Sequence, residues 1–217
     1  MVFQSPAFIA FTGVDRLDVS DALITLSARY PIEWGILVDD ARDGEALFPD
    51  MKTRARLLRS GPLRWAAHVC GPQAKAIAGT GQPGPLNLAG FQRVQVNHSF
   101  SGSDDTHVAN STTFARRCGM RPVLQCSGIF PADPRVDWLF DTSFGKGTRP
   151  GSWPALPASG PFCGFSGGLN PENVREILEK IAAPAGALYW IDMESGVRSE
   201  GWLDVTKCEA VCRAVYG

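Results

Sequence analysis

The chain has 217 residues, 44% of them hydrophobic and 20% charged, with a formal net charge of −1. Apolar content at that level with balanced charge excludes a disordered chain, and 21 basic against 22 acidic residues leave no electrostatic case for nucleic acid or an anionic membrane. No apolar run approaches the ~20 residues needed to span a bilayer, and Met1 to Thr12 shows neither the basic start nor the cleavage site of a signal peptide. The expectation is a cytoplasmic protein with no nucleic-acid or membrane partner.

Short apolar runs alternate with amphipathic stretches from end to end. Ala7 to Thr12 is the first strand candidate, ending at Gly13; Val19, Ala22, Leu23 and Leu26 then fall on one helix face. Trp34 to Val38 is a second strand, and Met51, Ala55 and Leu58 give a helical stripe after it. Leu63 to Val69 follows as a third strand, and Gly71 to Gly90, rich in Gly, Pro and Ala, predicts at most a short helix. Phe91 to Asn97 reads as a strand, Asp104 to Arg117 as a helix, and Pro122 to Cys126 and Val136 to Phe140 as two more strands. The loop Thr142 to Trp153 holds Gly145, Gly147 and Gly151. Phe162 to Phe165 is strand-like, and Val174, Ile177, Leu178 and Ile181 form a helix face with Asn170 as expected N-cap and Pro171 at the first helical position. Ala187 to Ile191 is the last strand, and Val205, Cys208, Cys212 and Val215 line a closing helix.

Strands that are continuously apolar are buried on both faces. Their alternation with helices implies parallel pairing through right-handed crossovers. Eight such units in this length predict an α/β fold, a single (β/α)8 TIM barrel over residues 1–217. Pro131 to Pro134 and Pro150 to Pro157 leave little room for regular helices, so the fifth and sixth crossovers should be shortened. A doubly wound open sheet is the alternative. It calls for a Gly-rich turn after the first strand, where only Thr12-Gly13 stands. None of the six cysteines forms a Cys-x-x-Cys pair or a zinc spacing, so most are expected as small buried hydrophobes, with no metal and no cofactor.

In such a barrel chemistry collects at the C-terminal strand ends. The polar residues there are Thr12, Asp39, Cys70, Asn97, Cys126, Asp141, Gly167-Gly168, Asp192 and Ser195-Gly196. Strands 7 and 8 are the usual phosphate position, and exposed backbone N–H groups in Gly-rich loops make anion sites. Gly167, Gly168, Ser195 and Gly196 are therefore expected to hold the phosphate of a small phosphorylated ligand, provided the carboxylate of Glu194 points outward. The alternative is that these glycines only allow the turns to form.

Ser166-Gly-Gly-Leu-Asn-Pro-Glu-Asn-Val174 and Ile191-Asp-Met-Glu-Ser-Gly-Val197 resemble the C-terminal half of the phosphoribosylanthranilate isomerase family. Leu139-Phe140-Asp141, Gly145-Lys-Gly-Thr148 before Trp153, Val94-Gln95-Val96, and Ile9 to Gly13 followed by Asp21-Ala22-Leu23 are similar to it more weakly. The likeness is specific from about residue 136 to 197. It implies a (β/α)8 barrel of tryptophan biosynthesis that performs an Amadori rearrangement, with Asp141 as the general acid. The family's basic thiol at the end of strand 1 is replaced by Thr12, whose hydroxyl has no accessible deprotonated form near neutral pH. Cys70 and Cys126 are the thiols available to substitute for it. Arg42 is the nearest match to the family's substrate-binding Arg, Asn97 replaces its strand-4 His, and Glu194 stands where it usually has Ser. Arg42, Gln95, Asn97 and Asp192 are the expected substrate contacts, and Asp141 and Thr12 the expected catalytic positions. Two other readings compete: a diverged barrel that binds a sugar phosphate or other anion for a different reaction, and a non-catalytic binding protein. Nothing in the sequence sets an oligomeric state.

Overall fold

A computed structural model describes residues 3–100, 102–143 and 147–217, so Gly145 of the expected loop lies outside the described residues. Eight parallel strands close on themselves: β1 (Phe8–Thr12), β2 (Ile32–Val38), β3 (Trp65–Val69), β4 (Arg93–Val96), β5 (Arg121–Cys126), β6 (Asp137–Phe140), β7 (Cys163–Phe165) and β8 (Tyr189–Met193). The seam is β8 against β1, with Ala10 opposite Asp192. The expected closed barrel is the observed one, and the open sheet is not.

Each strand sends alternate side chains to opposite faces, so one sequence builds two different cores. Outward-facing Ile9, Phe11, Trp34, Ile36, Trp65, Val94, Val96, Trp138 and Ile191 pack under the helices in one continuous apolar layer. Inside the barrel a smaller apolar plug forms from Phe8, Ala10, Val123, Leu139 and Trp190. Below the plug's rim the interior is charged. Arg93 Nη1 lies 2.7 Å from Glu33 and Nη2 lies 3.4 Å from Asp137, all three residues being buried. Arg64 and Arg121 add pairs from the edge, and the Arg93 guanidinium stacks 4.4 Å from the Trp190 ring centroid.

Six helices cover the outside: α1 (Ser20–Ser27), α2 (Met51–Leu57), α3 (Gly71–Thr80), α4 (Asp105–Arg117), α5 (Val174–Ile181) and α6 (Val205–Tyr216). Side-chain caps start three of them. Asp50 accepts from Thr53 N, Asp204 from Thr206 N and Lys207 N, and Asp104 shares a reciprocal capping box with His107. The Gly- and Pro-rich stretch after β3 yields ten helical residues, α3, because Pro72 sits in the first turn and Gly81 closes it at φ +70°. Asn170 does not cap α5. Its side chain accepts from Glu172 N and Asn173 N in the turn that precedes the helix, which starts three residues later than the sequence pattern implied.

No helix lies between β5 and β6 or between β6 and β7 among the described residues, as the prolines predicted. An edge-on cluster of Phe130, Phe140, Trp153 and Phe165 covers the outside there instead. One unexpected element is a hairpin, β9 (Arg198–Ser199) and β10 (Trp202–Leu203). Its two-residue turn, Glu200-Gly201, has φ of +51° and +84°, the left-handed pair that matches strand twist. Cys163, Cys208 and Cys212 are buried as expected, whereas Cys118, at the end of α4, is exposed. No helix among the described residues is long and apolar enough to cross a membrane.

Candidate active site

The C-terminal strand ends surround a cavity of about 500 Å³, within the range of small-molecule sites. Thr12, Asp39, Arg42, Cys70, Gln95, Asn97, Asp141, Gly167, Gly168, Asp192 and Ser195 all line it. Sequence position alone thus brings every expected catalytic and substrate residue to one mouth. Gly196 is the exception: it sits behind the wall, its Cα pressed so close to the Leu169 carbonyl that no Cβ fits. Cys126 does not line the cavity either.

Asp141 follows β6 and is buried. Its Oδ1 accepts from the Ser143 backbone N–H at 2.7 Å and from Ser143 Oγ at 2.8 Å, and its Oδ2 accepts from Gln125 Nε2 at 2.9 Å. These donors fix a carboxyl whose charge is felt by both Asp192 and Glu194. Arg42 lies in the short helical turn after β2, with Nε 2.9 Å from Glu45 and its guanidinium 4.0 Å from the Phe48 ring centroid. Gln95 Nε2 donates to Asn97 Oδ1, and Asn97 Nδ2 donates to Cys70 Sγ.

The two thiols that might have replaced the missing base are unsuited to it. Burial pushes Cys70 above the ordinary thiol range, against the opposing hydrogen bond from Asn97, and burial pushes Cys126 up to about 12. Neither is a thiolate at neutral pH.

The floor of the mouth holds what the sequence does not display. Thr12 Oγ1 donates to Asp192 Oδ1 at 2.7 Å and lies 3.3 Å from His68 Nε2, so β8, β1 and β3 contribute one buried chain of polar groups. Gly35 on the intervening β2 makes this contact possible. A Cβ there would stand 2.7 Å from Thr12 Oγ1 and 2.9 Å from His68 Nε2. Burial, with the Arg93 charge adding, holds His68 down to about 3, so its imidazole is neutral. Burial pushes Asp192 up to about 7; the Thr12 hydrogen bond opposes this and the charges of Glu194, Asp141 and Glu33 add to it. Only the spacing of polar residues along β1, β3 and β8 hinted at this chain, since its three members are far apart in sequence.

At the expected phosphate position, Gly167 and Gly168 have φ of +120° and +67°, a turn that residues with a Cβ adopt only with strain. Their backbone N–H groups meet no backbone acceptor among the described residues. Glu194, whose carboxylate has to point outward for the phosphate site to form, lines the cavity beside Ser195. Burial first, and then the Asp141 charge, raise its carboxyl, while Arg198 opposes both. Arg198 itself is committed to the Gly13 carbonyl and to an ion pair with Asp15. Among the described residues no group of His, Cys, Asp and Glu is arranged to hold a metal ion.

A family model described as N-(5'phosphoribosyl)anthranilate (PRA) isomerase matches residues 125–214. The chain is also similar to two solved structures along nearly its whole length. N-(5'-phosphoribosyl)anthranilate isomerase from Pyrococcus furiosus superposes with a TM-score of 0.60 at 14% identity, over 96% of this chain and 98% of that one. Phosphoribosyl anthranilate isomerase from Thermococcus kodakaraensis gives 0.57 at 17% identity, over 97% and 99%. Identities this low establish the barrel, not the reaction. No curated protein sequence matches the chain. The matched segment carries β6 to β8 with Asp141, Gly167-Gly168 and Asp192 to Gly196, and over that segment the chain is similar to the phosphoribosylanthranilate isomerase family.

Proposed function

We propose that the chain catalyses the family's reaction, the Amadori-type isomerisation of an aminated phosphoribose in tryptophan biosynthesis. One observation carries this reading. The three loops inside the matched segment, at Asp141–Ser143, Ser166–Leu169 and Asp192–Ser195, converge on a single cavity of suitable size. Asp141 serves as the general acid for the ring oxygen. The N–H groups of Gly167 and Gly168, with Ser195, receive the phosphate, and Gly196 packs behind them. Arg42 faces the anthranilate carboxylate, and Gln95, Asn97 and Asp192 contact the sugar.

The test is turnover of N-(5'-phosphoribosyl)anthranilate by the purified chain, together with growth of a tryptophan auxotroph that lacks the isomerase. Turnover is expected, and Asp141→Asn should lower kcat/KM by roughly 10²- to 10⁴-fold. A folded wild type with neither turnover nor growth would overturn the reading.

Glu194 favours a second reading. Among the described residues, four carboxyl groups (Asp39, Asp141, Asp192 and Glu194) line the cavity with one guanidinium, that of Arg42. Such a mouth suits a ligand with less negative charge than a sugar phosphate.

A further inference from the structure

Replacing the strand-1 thiol by Thr12 removes the expected base from the mouth, yet the carboxyl next to it has the placement that the task requires. Asp192 is almost fully buried and lines the cavity, and its Oδ1 is occupied by the Thr12 hydroxyl. No side chain or backbone N–H among the described residues donates to its Oδ2, which is left to the cavity. We propose that Asp192 is the general base of the isomerisation, with Thr12 and His68 as positioning residues that hold its carboxylate from the floor of the barrel. This assignment rests on the isomerase reading above.

The direction of the hydrogen bonds supports it. Thr12 spends its only proton on Asp192, so its oxygen is free to accept from His68 Nε2. Thr12 therefore presents its hydrogen to the carboxylate and His68 presents one to Thr12, and neither carries a charge that would hold Asp192 permanently ionised. Among the described residues the charged groups that act on it are Glu33 from β2, Asp141 after β6 and Glu194 after β8, all acidic. The Arg93 cation acts on His68 from the deeper layer, where it is already paired with Glu33 and Asp137. After β7, Ser166 to Leu169 line the mouth, and none of them is titratable. A carboxylate in this setting is a competent proton acceptor near neutral pH.

The step balances without an outside reagent. Asp141 gives its proton to the ring oxygen as the C1–O bond breaks and the nitrogen lone pair forms C1=N. The Asp192 carboxylate then takes the C2 proton. That C–H pair becomes C1=C2, and the C1=N pair returns to nitrogen. The enol loses its hydroxyl proton to form the C2 ketone while C1 is protonated from Asp192, and the released proton restores Asp141.

The experiment is the pH profile of kcat/KM for N-(5'-phosphoribosyl)anthranilate in four proteins: wild type, Asp192→Asn, Thr12→Val and Thr12→Ser. On the limb below about pH 7, wild type should gain tenfold per pH unit. Asp192→Asn should lose 10²- to 10⁴-fold together with that limb. Thr12→Val deletes the hydrogen bond that favours the carboxylate, so its limb should move to higher pH, whereas Thr12→Ser should restore it. A purely structural role for Thr12 would lower the rate without moving the midpoint. Asp192→Asn within tenfold of wild type, or a Thr12→Val limb that does not move, overturns the assignment and leaves the isomerase reading standing. A folded wild type that turns over none of this substrate sinks both.

Discussion

The two ends of the barrel interior treat charge in opposite ways. At the bottom, Glu33 and Asp137 are both met by Arg93, with Arg64 and Arg121 adding further cations from the rim. At the mouth, Asp39, Asp141, Asp192 and Glu194 share one cavity, and among the described residues Arg42 is the one Lys or Arg that lines it. Glu33 and Asp39 share β2 and its end, and Asp137 and Asp141 share β6 and its end, at the same inward parity, while Asp192 and Glu194 come from β8 and its end. What differs is the partner. Burial beside a cation fixes charge into structure, whereas burial of Asp192 near other carboxyl groups moves its pKa toward the pH at which it can exchange protons. The bottom is built to hold and the top to react.

The largest expected effect comes from breaking the lower set. Arg93→Ala leaves two buried carboxylates short of their shared cation, which should cost about 3–5 kcal/mol and lower Tm by on the order of 10 °C. Adding Glu33→Gln and Asp137→Asn to it should recover much of that loss, because neutral groups need no partner. Calorimetric melting of both variants checks this, and a single variant as stable as wild type would erase the contrast.

The upper set should show itself in how stability depends on pH. The folded-state pKa of Asp192, about 7, lies above its unfolded value of 3.8, so the fold retains its proton where the unfolded chain has lost it. The resulting stability is complete below about pH 4 and is lost as pH rises through about 7. Relative to Asp192→Asn, wild type should therefore become less stable across that window, by roughly 1.4 kcal/mol per pH unit. Taking the difference between the two proteins cancels His68, whose depressed pKa works in the opposite direction and removes stability as pH falls below about 6.5. Denaturant titrations at pH 4.5, 6 and 7.5 measure it, and a flat difference would mean that Asp192 is ionised throughout.

The smallest effect concerns the anion loops. Glu194→Ser removes the carboxylate beside Ser195 and should tighten inorganic phosphate by about tenfold, or 1.4 kcal/mol. The readout is the rise in Tm with millimolar phosphate, which should be larger in the variant than in wild type. If phosphate raises Tm in neither protein, the loops around Gly167 and Gly168 do not bind it and the less anionic ligand is favoured.

The barrel was legible because its strands are buried on both sides, which writes each one as an apolar run such as Trp34 to Val38 or Tyr189 to Ile191. The missing helices were legible as prolines. The hairpin after β8 was not, since two two-residue strands carry no periodicity and Glu200 gives no sign that it adopts a left-handed φ. The site divides in the same manner. Asp141 and the glycine turns announce themselves by position at strand ends, and the structure gathers them as expected. The Asp192–Thr12–His68 chain joins residues up to 180 apart in sequence, and it depends on the lack of a side chain at Gly35, which sequence shows only as one glycine among 23. The inward turn of Glu194 was hidden for a similar reason. Which way a side chain leaves a loop is settled by its neighbours, here Gly13 and Arg198, not by its own type.

The two helix-free crossovers make the wall of the molecule uneven in time as well as in shape. Around most of the circumference, opening a strand means lifting a packed helix from it. Over β6 it means displacing the rings of Phe130, Phe140 and Trp153. Backbone amides of β6 should therefore exchange with deuterium ahead of those in β2 and β3, so that solvent enters the barrel first through this quadrant, along the strand that delivers Asp141.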